Sequence, residues 1–117
     1  MTAKRTPEQT IHEGIVQLLR MTAKPGVIWY AVPNGEARSV QTGAKLKKQG
    51  VRPGVADLAF VLPGGRAAFL EIKSQTGRQS PLQKDFEAEV IANGSMYAIA
   101  RGVTEAQTIL RDWGAVR

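Results

Sequence analysis

Ile11, Ile15, Leu18 and Leu19 recur at the spacing of one helical face, the mark of an amphipathic helix. Thr6-Pro7-Glu8-Gln9 in front of them offers an N-cap, a proline at the first helical position and a capping-box partner, so the pattern predicts a helix ending near Met21. Val27 to Val32 is an uninterrupted apolar run stopped by Pro33-Asn34-Gly35, which predicts a central strand packed on both faces. The polar stretch from Ser39 to Gln49 reads as a short surface helix weakened by Gly43. Asp57 to Leu62 and Ala67 to Lys73 read as two strands of a hairpin around Pro63-Gly64-Gly65-Arg66. Ser80-Pro81-Leu82-Gln83 repeats the capping-box pattern, and Leu82, Phe86 and Val90 give a second amphipathic helix that stops at Asn93-Gly94. A strand from Met96 to Ala100 and a capped helix from Thr104 to about Trp113 follow. Helices on either side of a small sheet predict one α/β layer structure without repeats or linkers.

Composition narrows the chemistry. The sequence has 117 residues, suited to a single domain. It contains no Cys, which excludes disulfide scaffolds, thiolate metal sites, Cys nucleophiles and iron–sulfur clusters and leaves carboxylates to hold any metal. The charged start and the lack of a long apolar run predict neither a signal peptide nor a membrane span, and therefore a cytoplasmic protein. Sixteen Lys and Arg against ten Asp and Glu give a net charge of +6, which favours polyanionic partners without specifying a reaction.

In Phe69-Leu70-Glu71-Ile72-Lys73 the strand period of two puts Glu71 and Lys73 on one face and Leu70 and Ile72 on the other. Charged residues are seldom buried without partners, so their place at the end of an apolar strand marks either a frayed sheet edge or a site. Asp57 opens the preceding strand, and the turn decides where it lands. A two-residue turn at Gly64-Gly65 sets it opposite Ile72, whereas a three- or five-residue loop centred on Gly64 sets it opposite Glu71, so the functional reading predicts an odd loop or a bulge. Two carboxylates held that close repel, and a hard divalent cation such as Mg²⁺ relieves the repulsion. Such a cation lowers the pKa of a bound water and stabilises the charge that develops in phosphodiester hydrolysis. The Ile72 backbone carbonyl is a possible further ligand, and Lys73 can either activate the attacking water or hold the scissile phosphate.

Pro53-Gly54-Val55-Ala56-Asp57, thirteen intervening residues and Glu71-Ile72-Lys73 resemble the PD-(D/E)XK nuclease signature. Val32-Pro33-Asn34-Gly35, the stretch Gly50 to Asp57, and Gly77-Arg78-Gln79-Ser80-Pro81-Leu82-Gln83-Lys84 resemble, more narrowly, the stand-alone VRR-NUC domain, over residues 11 to 113. The proline stands four residues before Asp57 instead of touching it, as in the VRR-NUC branch. The resemblance implies a restriction-endonuclease-like core, a small mixed β-sheet flanked by helices. It implies Asp57, Glu71 and the first-helix Glu13 as metal ligands, Glu13 directly or through water, and Lys73 as the catalytic lysine. Gln83 would support the active centre or contact the DNA backbone. Mg²⁺ would be the cofactor, with Mn²⁺ able to substitute. The implied activity is that of a metal-dependent endonuclease on structured or branched DNA, four-way junctions above all, working as a homodimer. A non-catalytic nucleic-acid-binding module and a flap-directed, sequence-specific or RNA-directed nuclease are the alternatives.

From Arg38 to Arg52 the chain carries Arg38, Lys45, Lys47, Lys48 and Arg52 with no acidic residue. These form either a solvated face or a surface for phosphates, which Arg78 and Lys84 would extend. His12 reads as a surface or helix-packing residue, and Trp29 and Tyr30 as core. Gly77 is expected to ease a close strand-to-helix connection.

Overall fold

The computed structural model describes residues 5–33 and 40–117. Asn34, Gly35, Arg38 and Ser39 lie outside the described residues. The elements in chain order are α1 (Pro7–Thr22), β1 (Ile28–Ala31), α2 (Val40–Lys48), β2 (Leu58–Leu62), β3 (Arg66–Ile72), α3 (Pro81–Ala92), β4 (Met96–Ala100) and α4 (Val103–Asp112). Both predicted capping boxes form. The Thr6 hydroxyl accepts from Gln9 N and the Gln9 carbonyl from Thr6 N, and Ser80 and Gln83 do the same for α3.

The sheet runs β1-β2-β3-β4, with antiparallel pairing up to β3 and parallel pairing between β3 and β4. This is the mixed sheet the resemblance implies. The parallel pair needs a crossover, which α3 supplies. Leu62 pairs with Arg66, so the hairpin turns through three residues, Pro63-Gly64-Gly65. Both glycines take the left-handed conformation, with φ of +88° and +77°, which any other residue would adopt only with strain.

Alternation along the strands separates two faces. Leu58, Phe60, Leu62, Ala68, Leu70 and Ile72 are buried with Ile15 and Leu19 of α1 and Ala106 and Leu110 of α4. Each large side chain so enclosed contributes about 1.5–3 kcal/mol. Trp113 caps this core, edge-on to Phe60 at 5.5 Å between ring centroids. The other face meets α3, where Phe86 stands edge-on to Phe69 and Tyr97. The chain's last residues close the end of α1, with Ala23 bridged to Val116 and Lys24 N donating to Ala115 O. No helix among the described residues is long and apolar enough to cross a membrane.

Three expectations need correction. The apolar run at 27–32 is not a central strand, because β1 is an edge of the sheet. Trp29 packs against the core as expected, but Ile28 and Tyr30 point to the face that α3 occupies further along the sheet and are 59% and 55% exposed. Helix α4 begins one residue early, at an N-cap Gly102 that makes no side-chain cap bond; Glu105 reaches back to accept from Arg101 N instead. In α3 the apolar stripe is buried only at Val90, and Leu82 is exposed.

Candidate active site

The three-residue turn has the consequence that the carboxylate pairing required. Leu58 pairs with Leu70, and one step further along the same register Asp57 stands opposite Glu71. Glu71 is wholly buried and Lys73 nearly so. The Glu71 carboxylate is treated unequally at its two oxygens. Oε1 accepts from the Tyr97 hydroxyl at 2.5 Å and from Gln79 Nε2 at 2.8 Å. Oε2 is buried and accepts no hydrogen bond; Lys73 Nζ lies 3.8 Å from it. A buried carboxylate oxygen without a donor is costly unless a cation or water completes it.

Asp57 Oδ2 accepts from Ile72 N at 2.6 Å. In an antiparallel ladder the N–H and C=O of one residue face the same neighbour, so the Ile72 carbonyl also opens on the Asp57 side. Burial pushes the Asp57 carboxyl above the usual range; the Ile72 N–H opposes this, Glu8 raises it further, His12 draws it down and Glu71 adds a smaller upward push. Burial and then the bond to Glu71 raise the Tyr97 phenol far above its ordinary value, so it stays a neutral donor.

A cleft of about 790 Å³ leads to Asp57 between the start of α1 and the end of β1, lined by Glu8, His12, Glu13, Val32 and Ser74 among others. The first-helix glutamate inferred from the resemblance, Glu13, sits at this cleft, half exposed and ion-paired with Arg5. Glu8 and His12 are the helix residues that act electrostatically on Asp57. The spacing Glu8, His12, Ile15, Leu19 continues the buried stripe toward the helix N-terminus. Polar residues prolonging an apolar stripe were the sequence signal for both.

Gln83 makes no hydrogen bond to Glu71; its side-chain carbonyl caps α3 through Ser80 N at 2.8 Å. The glutamine beside Glu71 is Gln79, in the connection from β3 to α3. That connection is pinned by Arg101, whose guanidinium donates to the Ser74 carbonyl at 2.8 Å and the Gly77 carbonyl at 2.7 Å. A Cβ on Gly77 would lie 3.1 Å from Ser74 Oγ and 3.4 Å from Lys73 Cδ, which is the close approach expected of it. Nothing local in the sequence marks Gln79, Tyr97 or Arg101, since each acts from a different element.

Of the basic residues, Arg52 is engaged with Glu89 and lies over the Phe86 ring at 5.3 Å, so it ties the segment before Pro53 to α3. Glu89 is the larger cause of the raised Arg52 value, and Arg52 in turn lowers the Glu89 carboxyl. Lys45, Lys47, Lys48, Arg78 and Lys84 are exposed. Arg38 is outside the described residues.

Among the described residues no three His, Cys, Asp or Glu side chains converge as a metal cage. Asp57, the donorless Glu71 Oε2 and the Ile72 carbonyl nevertheless suit Mg²⁺, which is commonly held by one or two carboxylates and keeps several waters.

No family model matches this sequence, and no curated protein matches it. Solved structures do. One, a VRR_NUC domain protein, superposes with a TM-score of 0.76 at 18% identity, over 95% of this chain and 90% of its own. Another, a VRR_NUC domain, gives 0.63 at 16% identity, over 93% of this chain and 99% of its own. The chain thus has, over nearly its whole described length, the α/β fold of the VRR_NUC domains.

Proposed function

We propose that this protein is a metal-dependent nuclease that hydrolyses phosphodiester bonds in branched DNA, with Asp57 and Glu71 as the metal-holding carboxylates and Lys73 as the catalytic lysine. The observation that carries this reading is the buried Glu71 Oε2 that accepts no hydrogen bond, with Asp57 across the ladder and Lys73 beside it. Two carboxylates and a lysine gathered at the open end of a sheet are expensive to maintain for stability alone. The VRR_NUC fold supports the same reading.

A bound Mg²⁺, or Mn²⁺ in its place, would supply Lewis acidity at a phosphate oxygen and a more acidic water. The chain does the rest. Asp57 is held by Ile72 N and Glu71 by Tyr97 and Gln79, so both carboxylates are fixed before a ligand arrives. The Lys73 ammonium is held close to Glu71, where it can orient a water or attract the scissile phosphate. Glu8, His12 and Glu13 line the approach to Asp57, and Glu8 is the acidic residue of α1 whose charge acts on the Asp57 carboxyl.

One chain carries one such centre, and a symmetric four-way junction needs two cuts, so the working form in this reading is a homodimer with two-fold symmetry. The test is cleavage of labelled linear, splayed, flap and four-way DNA with Mg²⁺ or EDTA, by the intact protein and Lys73→Ala. Paired symmetric cuts in the four-way substrate that need Mg²⁺ and fall by at least about 10²-fold in the variant are expected. Metal-dependent cutting of flaps or of one linear sequence would redirect the substrate assignment. Tight binding without metal-dependent cleavage of any substrate would make the protein a binding module.

A further inference from the structure

The geometry points to Gln79 and Tyr97 as positioning residues that lock one oxygen of Glu71 so that the other is presented to a metal, with Glu87 holding Gln79 in place. This rests on the reading of Glu71 as a metal ligand.

Two donors meet at a single oxygen atom, and a third residue braces one of them. Tyr97 comes from β4, Gln79 from the connection between β3 and α3, and Glu87 from α3. The Tyr97 hydroxyl and Gln79 Nε2 both donate to Glu71 Oε1, and Gln79 Nε2 also donates to Glu87 Oε1 at 3.0 Å. An amide nitrogen has two hydrogens, and here one goes to each carboxylate. The reversed amide would set the Gln79 carbonyl against two carboxylate oxygens, so the network fixes its sense. The Tyr97 bond is within the short range of a hydroxyl donating to an ionised acceptor.

The result is a carboxylate with one saturated oxygen and one buried oxygen that accepts no hydrogen bond. Turning the carboxylate plane of Glu71 away from this setting would stretch both donated bonds, and a full half-turn only exchanges two equivalent oxygens and restores the same arrangement. Glu71 is therefore prepared as a one-oxygen ligand, and the orientation is set by residues that never touch the ligand. Groups behind a metal-binding side chain tune affinity in this way. Arg101, which grips the Ser74 and Gly77 carbonyls, keeps the segment bearing Gln79 at the right height. Phe86 packs edge-on to the Tyr97 ring and keeps that side chain in place.

The experiment is calorimetric titration of Mn²⁺ into the full chain without DNA, for the unaltered protein, Asp57→Asn, Gln79→Ala, Tyr97→Phe and a remote core truncation, Leu110→Ala. Tyr97→Phe removes only the hydroxyl and keeps the ring packing. The expected result is binding by the unaltered chain, loss in Asp57→Asn, and weakening by roughly 10- to 100-fold in Gln79→Ala and Tyr97→Phe, with Leu110→Ala unchanged in affinity at a temperature where it is folded. Unaltered affinity in Gln79→Ala and Tyr97→Phe overturns the positioning role and leaves Glu71 as a ligand. Equal weakening in Leu110→Ala also overturns it, since general loosening would then explain the loss. Absence of Mn²⁺ binding by the unaltered chain overturns the metal reading itself, and this inference with it.

Discussion

Asp57 works against the stability of the fold it occupies. Its carboxyl is raised above the unfolded value, first by burial, so the folded chain holds the proton more tightly than the unfolded one. Between those two values unfolding releases a proton, and stability falls as pH rises through that window, with the full penalty present above it. Asp57→Asn removes the penalty and keeps an oxygen able to accept from Ile72 N. In EDTA the variant should therefore melt at a higher temperature than the unaltered protein at pH 8, and the difference should shrink toward pH 3. A variant that melts lower at pH 8 would show that the carboxylate stabilises the metal-free fold. Cleavage should vanish in the variant, which separates the residue's chemical role from its structural cost. Glu71 and Lys73 were legible because strand alternation puts them on one face, whereas the place of Asp57 hung on a loop length that the sequence leaves open and the Leu62–Arg66 pairing decides. Gln79 and Tyr97 were not legible, because their meeting at Glu71 depends on how α3 and β4 return to β3.

At the scale of elements, caps and turns were readable wherever a local hydrogen bond decides them. Both capping boxes are of this kind, whereas the glycine turn was readable in its place but not in its length. The position of β1 was not, since a continuous apolar run fits either a buried central strand or an edge strand with one uncovered face, and only long-range pairing separates these. Gly54 shows how tightly the remaining elements are joined. Its φ is +85°, and a Cβ there would lie 2.7 Å from the backbone carbon of Leu82 in α3. Gly54→Ala would therefore force α3 away from the segment leading into Asp57, at a cost of about 2 kcal/mol or more from strain and overpacking together. Gly43, inside α2, has nothing within 4 Å of its would-be Cβ. Gly43→Ala should instead stabilise by about 0.5–1 kcal/mol at most, through helix propensity. Urea unfolding of the two variants checks the contrast, and equal effects would mean that the α3 contact at Gly54 is not rigid.

Over the whole molecule the net charge is +6, and α2 carries part of it. This helix comes within packing range of no other helix or strand among the described residues, and Lys45, Lys47 and Lys48 crowd its last turn. Basic residues there suit the helix dipole in any protein, so their presence alone does not argue for DNA. Salt dependence does distinguish the two roles, because each phosphate contact on duplex DNA adds about 0.9 to the slope of log affinity against log salt. Replacing all three lysines with Gln should reduce the slope by up to about 2.7 if they meet phosphates. The control removes the same charge from exposed Arg20, Lys24 and Arg111, near the end of α1 and on α4. Binding measured in EDTA between low and moderate salt gives both slopes without cleavage. A slope lowered only in the α2 variant makes that helix part of the DNA track. Equal small changes in both variants would reduce α2 to a solvated helix and move the DNA contacts toward Arg78 and Lys84, which flank the N-terminus of α3 beside Glu71.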